Sequence, residues 1–221
     1  MRDGWTADSN YMLLDCGPHG VDNCGHAHAD ALAFDLAARG RDHTGRSGTY
    51  TYTASQELRD WFRSSPAHNA LTVDGESSSV PDGPFSWTSV ARVERRAWIS
   101  GDRFDYFEGK HDGYERLVPP VAHSRAVLFL KQDYWVMLDR VKSEGKHRYD
   151  LWFHFAVGAS PALQFNDDYG ASVQEMGDQA GLTVSSFARR AGWRRKTPQS
   201  RTVMEKERRL GPMSFHDYER R

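Results

Sequence analysis

Along much of this chain apolar and polar residues alternate with a period of two, the spacing of strands that bury one face. Leu151, Phe153 and Phe155 fall on one side of residues 149–155, Trp152 and His154 on the other. Residues 31–39 are rich in alanine and would be helical on propensity alone. Their large side chains Leu32, Phe34 and Leu36 nevertheless alternate with Ala31, Ala33, Asp35 and Ala37, which predicts a strand. Residues 11–16 form a short apolar run halted by Gly17-Pro18-His19-Gly20, a buried strand entering a turn. Thr49-Tyr50-Thr51-Tyr52-Thr53 reads as another strand. Residues 55–63, carrying Leu58, Trp61 and Phe62, predict a short helical turn. Leu71-Thr72-Val73 predicts a strand closed by the turn pair Asp74-Gly75, and residues 77–86 a Ser/Pro/Gly loop.

Further strands are predicted at 90–99, 103–108, 124–130 and 134–141, the last two joined as a hairpin through Lys131-Gln132-Asp133. Weaker ones fall near 172–175, 182–187 and 202–206. Heptads and internal repeats are absent from the sequence. The expected fold is all-β: an antiparallel β-sandwich of two packed sheets with few short helical turns. At 221 residues such a sandwich is expected to form a single domain.

Composition narrows the functions. No apolar run approaches the roughly 18 residues of a membrane span, and no basic-then-apolar leader opens the sequence. A formal charge of −1 argues against a general nucleic-acid binder. Residues 188–221 hold 11 Lys/Arg against 4 Asp/Glu, leaving 18 against 26 in the rest. That basic end reads as a solvated edge or terminus. Cys16 and Cys24 are the only cysteines; their spacing permits a disulfide without requiring one.

Candidate chemistry gathers in Cys24-Gly25-His26-Ala27-His28-Ala29-Asp30 and, forty residues on, Ala67-His68-Asn69. Two imidazoles at i and i+2 on extended chain share a face, and a second strand could bring His68 alongside. Such a cluster can hold a metal or move protons.

Several motifs in the same order resemble the heparinase II/III-like polysaccharide lyases. They are Leu14-Asp15-Cys16-Gly17-Pro18-His19-Gly20, Gly25-His26-Ala27-His28-Ala29-Asp30-Ala31-Leu32-Ala33-Phe34, Gly48-Thr49-Tyr50, Arg59-Asp60-Trp61-Phe62-Arg63-Ser64 and Ala67-His68-Asn69-Ala70-Leu71-Thr72-Val73-Asp74-Gly75. The likeness continues through Glu108-Gly109-Lys110-His111-Asp112-Gly113-Tyr114 to about Phe155. It implies an antiparallel sandwich that forms the C-terminal part of a two-domain enzyme whose N-terminal α/α toroid is missing here. On this likeness the chain is a fragment, inactive or nearly so by itself, of a periplasmic or secreted parent acting on an acidic polysaccharide.

The implied chemistry is β-elimination at a uronic acid. The C5 proton must be removed, the C6 carboxylate neutralised and the departing O4 protonated, work suited to His and Tyr beside a cation or donor. By resemblance, His26 and Tyr50 are catalytic, Arg63 and Asn69 meet the substrate carboxylate, and His28 and His68 ligate zinc. The main acid/base tyrosine of the family lies in the toroid. His111 also recurs in the pattern, whereas His154 reads as a hydrogen-bonded sandwich residue.

One departure stands out. The family's third zinc ligand is an aspartate just before Gly-Thr-Tyr, where this chain has Arg46, and a guanidinium cannot ligate zinc. The whole run Asp42-His43-Thr44-Gly45-Arg46-Ser47 departs from the expected apolar strand. Zinc binding is accordingly expected to be weak. Two other readings use the same residues. A cupin would use His26 and His28, but Leu32 or Ala33 stands where its glutamate belongs. A non-catalytic carbohydrate-binding sandwich would use tryptophans such as Trp87 to stack on sugars.

Overall fold

The structure, a computed structural model, describes residues 1–45 and 47–156 and the backbone of three later strands. The chain divides into two compact units, the first holding Met1–Ala162 and Gln174–Leu182. In this unit β1 (Tyr11–Leu14), β2 (Phe34–Ala38) and β3 (Arg41–Asp42) form one antiparallel sheet. Four longer strands, β7 (Val93–Ser100), β8 (Phe104–His111), β9 (Ala122–Leu130) and β10 (Trp135–Lys142), form a second in the order β10-β9-β8-β7. Smaller pairs are β11 (Tyr149–Leu151) with β4 (Leu71–Val73), and β5 (Val80–Pro81) with β6 (Trp87–Ser89). Among the described residues, helix is confined to α1 (Gln56–Phe62), capped by the Ser55 side chain on the Leu58 N–H, and a 3-10 turn at Ser65–Ala67.

The alternation in the sequence explains how the sheets meet. Met12 of β1, Phe34 and Leu36 of β2, Phe107 of β8 and Val127 of β9 share one buried core with Leu32, the sandwich interior. Gly109 lets the layers close, since a Cβ there would stand 2.8 Å from a Leu32 methyl. A second core joins Leu71 and Val73 to Tyr114 and Val121, and the buried Tyr114 hydroxyl donates to the Leu71 carbonyl at 2.6 Å. Turn chemistry follows the local residues. Asp74 and Gly75 take φ of +54° and +83° after β4, and Gln132 takes φ +67° in the β9–β10 hairpin.

Several expectations are corrected. The strand expected at 49–53 does not form, because Tyr50 adopts φ +58° and the Thr51 N–H turns back onto the Thr49 carbonyl. In the alanine-rich stretch the strand begins only at Phe34, since Leu32 has φ +61°. The loop at 77–86 contains β5. In the later chain β12 (Pro161–Asn166), β13 (Gly170–Glu175) and β14 (Thr183–Phe187) form a sheet in that order. The strand expected near 202–206 and the residue Arg46 lie outside the described residues.

Candidate metal and proton-transfer site

The histidine motif is a loop between β1 and β2. Cys24 adopts φ +56° and its carbonyl accepts from the Ala27 N–H, so the chain turns where extended backbone was expected. His26 and His28 therefore face different neighbours. His26 is exposed, with its ring edge-on to Tyr52 at 5.5 Å and tilted against Phe85 at 6.2 Å. His28 points inward, and its Nδ1 lies 3.2 Å from Nε2 of buried His68.

Two segments hold these residues together. The Ala29 N–H donates to the Arg63 carbonyl at 2.8 Å, and the Ser65 hydroxyl donates to the Ala29 carbonyl. The histidine loop is thereby tied to the turn after α1, and the His68 N–H closes that turn on the Ser65 carbonyl. Arg59 reaches from α1 to the Gly25 carbonyl at 2.9 Å. A cleft of about 350 Å³ results, lined by His19, His26, His28, Asp30 and His68 among others, a size that suits a small polar ligand or part of a larger one.

Asp30 is the residue that sequence reasoning overlooked. Ligand atoms of His28, Asp30 and His68 all lie within 4.8 Å of one another. A tetrahedral zinc ion with bonds of about 2.1 Å needs ligand atoms about 3.4 Å apart, and the 3.2 Å between the two imidazoles is close to that. Two imidazoles and a carboxylate also make a donor set that zinc accepts. Burial, reinforced by the positive charges of Arg59 and Arg63, pushes His28 down to about 4, leaving a neutral ring with a lone pair at pH 7. The signal was present in the sequence, because Asp30 follows His28 at the same two-residue step as His28 follows His26.

The remaining candidates make contacts within the fold. Tyr50 stacks on Phe62 at 5.0 Å and is not among the residues lining the cleft; Tyr52 is the tyrosine beside His26. Arg63 is fully buried. Its guanidinium pairs with Asp60 at 3.0 Å, donates to the Gly83 and Pro84 carbonyls, and lies over Trp87. Asn69 borders the cleft, but its amide is occupied within the protein. It donates to the Phe34 carbonyl and accepts from the His154 N–H. His154 itself bonds the Pro66 carbonyl at 2.9 Å, a sandwich role as expected. Cys16 and Cys24 are free thiols.

The family profile described as heparinase II/III-like, C-terminal, matches residues 3–211. The chain belongs to this family. As a heparinase II/III-like C-terminal chain it is 27% identical over 165 residues to a heparin-sulfate lyase of Pedobacter heparinus, covering 73% of this chain and 22% of that enzyme. A heparin-sulfate lyase of Bacteroides thetaiotaomicron is 23% identical, with 86% and 26% covered. Among solved structures, a heparan sulfate lyase from Pedobacter heparinus superposes with a TM-score of 0.62 at 22% identity, over 79% of this chain and 26% of that one. The heparinase II/III-like chain thus spans about a quarter of the length of these relatives, and the superposition confirms the sandwich fold. Membership also leaves the cupin reading without support, and no described helix is long and apolar enough to cross a membrane.

Proposed function

We propose that this chain is the β-sandwich portion of a polysaccharide lyase that cleaves uronate-containing glycosaminoglycans by β-elimination. In this reading an α/α toroid supplies the other wall of the substrate groove, and the longer protein works in the periplasm or outside the cell. The relatives named as heparin-sulfate lyases support the substrate class. The observation that carries the reading is one cleft lined by an exposed imidazole, His26, and by the His28, Asp30 and His68 trio behind it.

His26 is the proton-transfer group, since it is exposed at the cleft and an imidazole can both accept and donate a proton. Tyr52 and Phe85 stack at 5.8 Å beside it and hold its ring from one side. His28, Asp30 and His68 would hold zinc. When bound, the ion would supply positive charge that favours an anionic substrate in the cleft and organises the histidine loop. Arg63 and Asn69 support the walls of the cleft from inside the fold.

The test joins this chain to a family toroid and supplies heparan sulfate, following the ultraviolet absorbance of unsaturated uronate. Product formation that is lost in H26A, with glycan binding retained, is expected. Glycan binding with no unsaturated product from any uronate polysaccharide would replace the lyase reading with a carbohydrate-binding module.

A further inference from the structure

A second group of buried polar side chains crosses the four-stranded sheet, away from the cleft mouth. His111 on β8, His123 and Arg125 on β9, and Asp139 on β10 form one hydrogen-bonded chain. The Gly113 N–H donates to His111 Nδ1 at 3.1 Å, so the proton of the neutral ring sits on Nε2. That Nε2 faces His123 Nδ1 at 2.8 Å, and His123 Nε2 donates to Asp139 at 2.7 Å. Arg125 grips the same carboxylate as a fork, Nε to Oδ1 at 2.9 Å and Nη2 to Oδ2 at 3.0 Å.

The remaining nitrogen of Arg125 leaves this network. Its Nη1 donates to the Leu32 carbonyl at 2.7 Å and to the Asn69 carbonyl at 3.3 Å. Leu32 lies two residues beyond Asp30, and Asn69 directly follows His68. One fully buried guanidinium therefore bridges the two segments that carry the candidate ligands. The Ala29 bonds to Arg63 and Ser65 join the same segments just before Asp30, so Asp30 sits between two clamps.

We propose that Arg125, locked in place by Asp139, is a positioning residue that sets the spacing between Asp30 and His68 for metal binding. This rests on the reading of His28, Asp30 and His68 as a metal site. A planar fork is required, because a lysine ammonium can face Asp139 but cannot also span both carbonyls. The polar chain from His111 to Asp139 fixes the carboxylate, the carboxylate fixes the guanidinium, and the guanidinium fixes the loops.

The experiment titrates the full chain with zinc in competition with a chromophoric chelator, and with cobalt to record the visible spectrum of the loaded site. R125K is expected to weaken zinc affinity by about tenfold or more, the usual effect of losing a residue that orients ligands, and to alter the cobalt spectrum. D139N, which leaves the guanidinium unanchored, should act in the same direction should R125K fail to fold. V127A opens the buried core on the same strand and serves as the control for lost stability alone; it should keep wild-type affinity and spectrum. Wild-type binding by R125K or D139N, or an equal loss in V127A, overturns the proposal. A wild-type chain that takes up neither ion overturns the metal reading itself, and the positioning role with it.

Discussion

Protonating buried His111 should destabilise the fold in mild acid, and the structure sets the size of the effect. His111 is 4% exposed. Burial first, then the electrostatic influence of His123 and the charge of Arg125, pushes its imidazole down to about 3; Asp139 opposes this and Arg116 adds to it. The geometry agrees, because a proton on Nδ1 would lose the Gly113 N–H as a donor and set one N–H against another. An unfolded histidine titrates near 6.5. Between pH 6.5 and 3 the unfolded chain therefore binds more protons at this residue than the folded chain, and stability falls as pH falls.

At pH 5 the loss relative to pH 8 is about 2 kcal/mol for His111 alone, roughly 4–8 °C in melting midpoint for a chain of this length. Urea denaturation of wild type and H111Q at pH 8 and pH 5, at constant ionic strength, isolates the term. The glutamine can still meet the Gly113 N–H and His123 but does not titrate. His28 shifts in the same direction, being pushed down to about 4, yet it is present in both proteins and cancels. Asp139 is held well below the usual carboxylate range: burial opposes this, but the Arg125 charge and the His123 hydrogen bond outweigh it. Its contribution is present above about pH 4 and is lost only below that, beneath the window used. The expected result is that H111Q loses about 2 kcal/mol less than wild type between the two pH values. Equal losses would refute the assignment of His111 as a buried neutral ring.

Three other substitutions probe separate parts of the argument. D30N should weaken zinc binding at least tenfold while leaving the urea midpoint of the metal-free chain near wild type; unchanged affinity would remove Asp30 from the ligand set. G75A forces a side chain into φ +83° with Arg148 Nη2 3.0 Å from its Cβ, and should cost about 1 kcal/mol in equilibrium denaturation. F107A empties the centre of the sandwich core and should cost about 3–5 kcal/mol, read from the same denaturation curves.

The fold was legible wherever one face of a strand is buried against the other layer. Leu32, Phe34 and Leu36 outweighed alanine propensity because Phe34 and Leu36 lie in the sandwich core on alternate residues of β2. The Lys131-Gln132-Asp133 hairpin and the Asp74-Gly75 turn were legible because their positive-φ positions fall within turn residues. The run at 49–53 failed for a complementary reason. Its alternation is genuine, but Tyr50 stacks on Phe62 of α1 and Tyr52 on Phe85, so the tyrosines pack against a helix and a loop rather than across a sheet.

The site was legible in its residue types and much less so in its geometry. An i, i+2 spacing places two side chains on one face only if the backbone between them is extended, and here His26 lies inside the turn that the Ala27 N–H closes on the Cys24 carbonyl. The turn separates the motif by role, leaving His26 toward solvent and sending His28 to His68. Arg63 was hard to place for a different reason. A sequence shows that an arginine is near a cleft motif but not where its guanidinium ends, and here the Gly83 and Pro84 carbonyls and Asp60 draw it into the fold. Arg125 is the reverse case, an ordinary alternating residue of β9 in sequence whose reach to Leu32 and Asn69 exists only once the two sheets have packed. The two parts of the proposed ligand set are therefore joined by a residue from the opposite sheet, so metal affinity should track sandwich assembly.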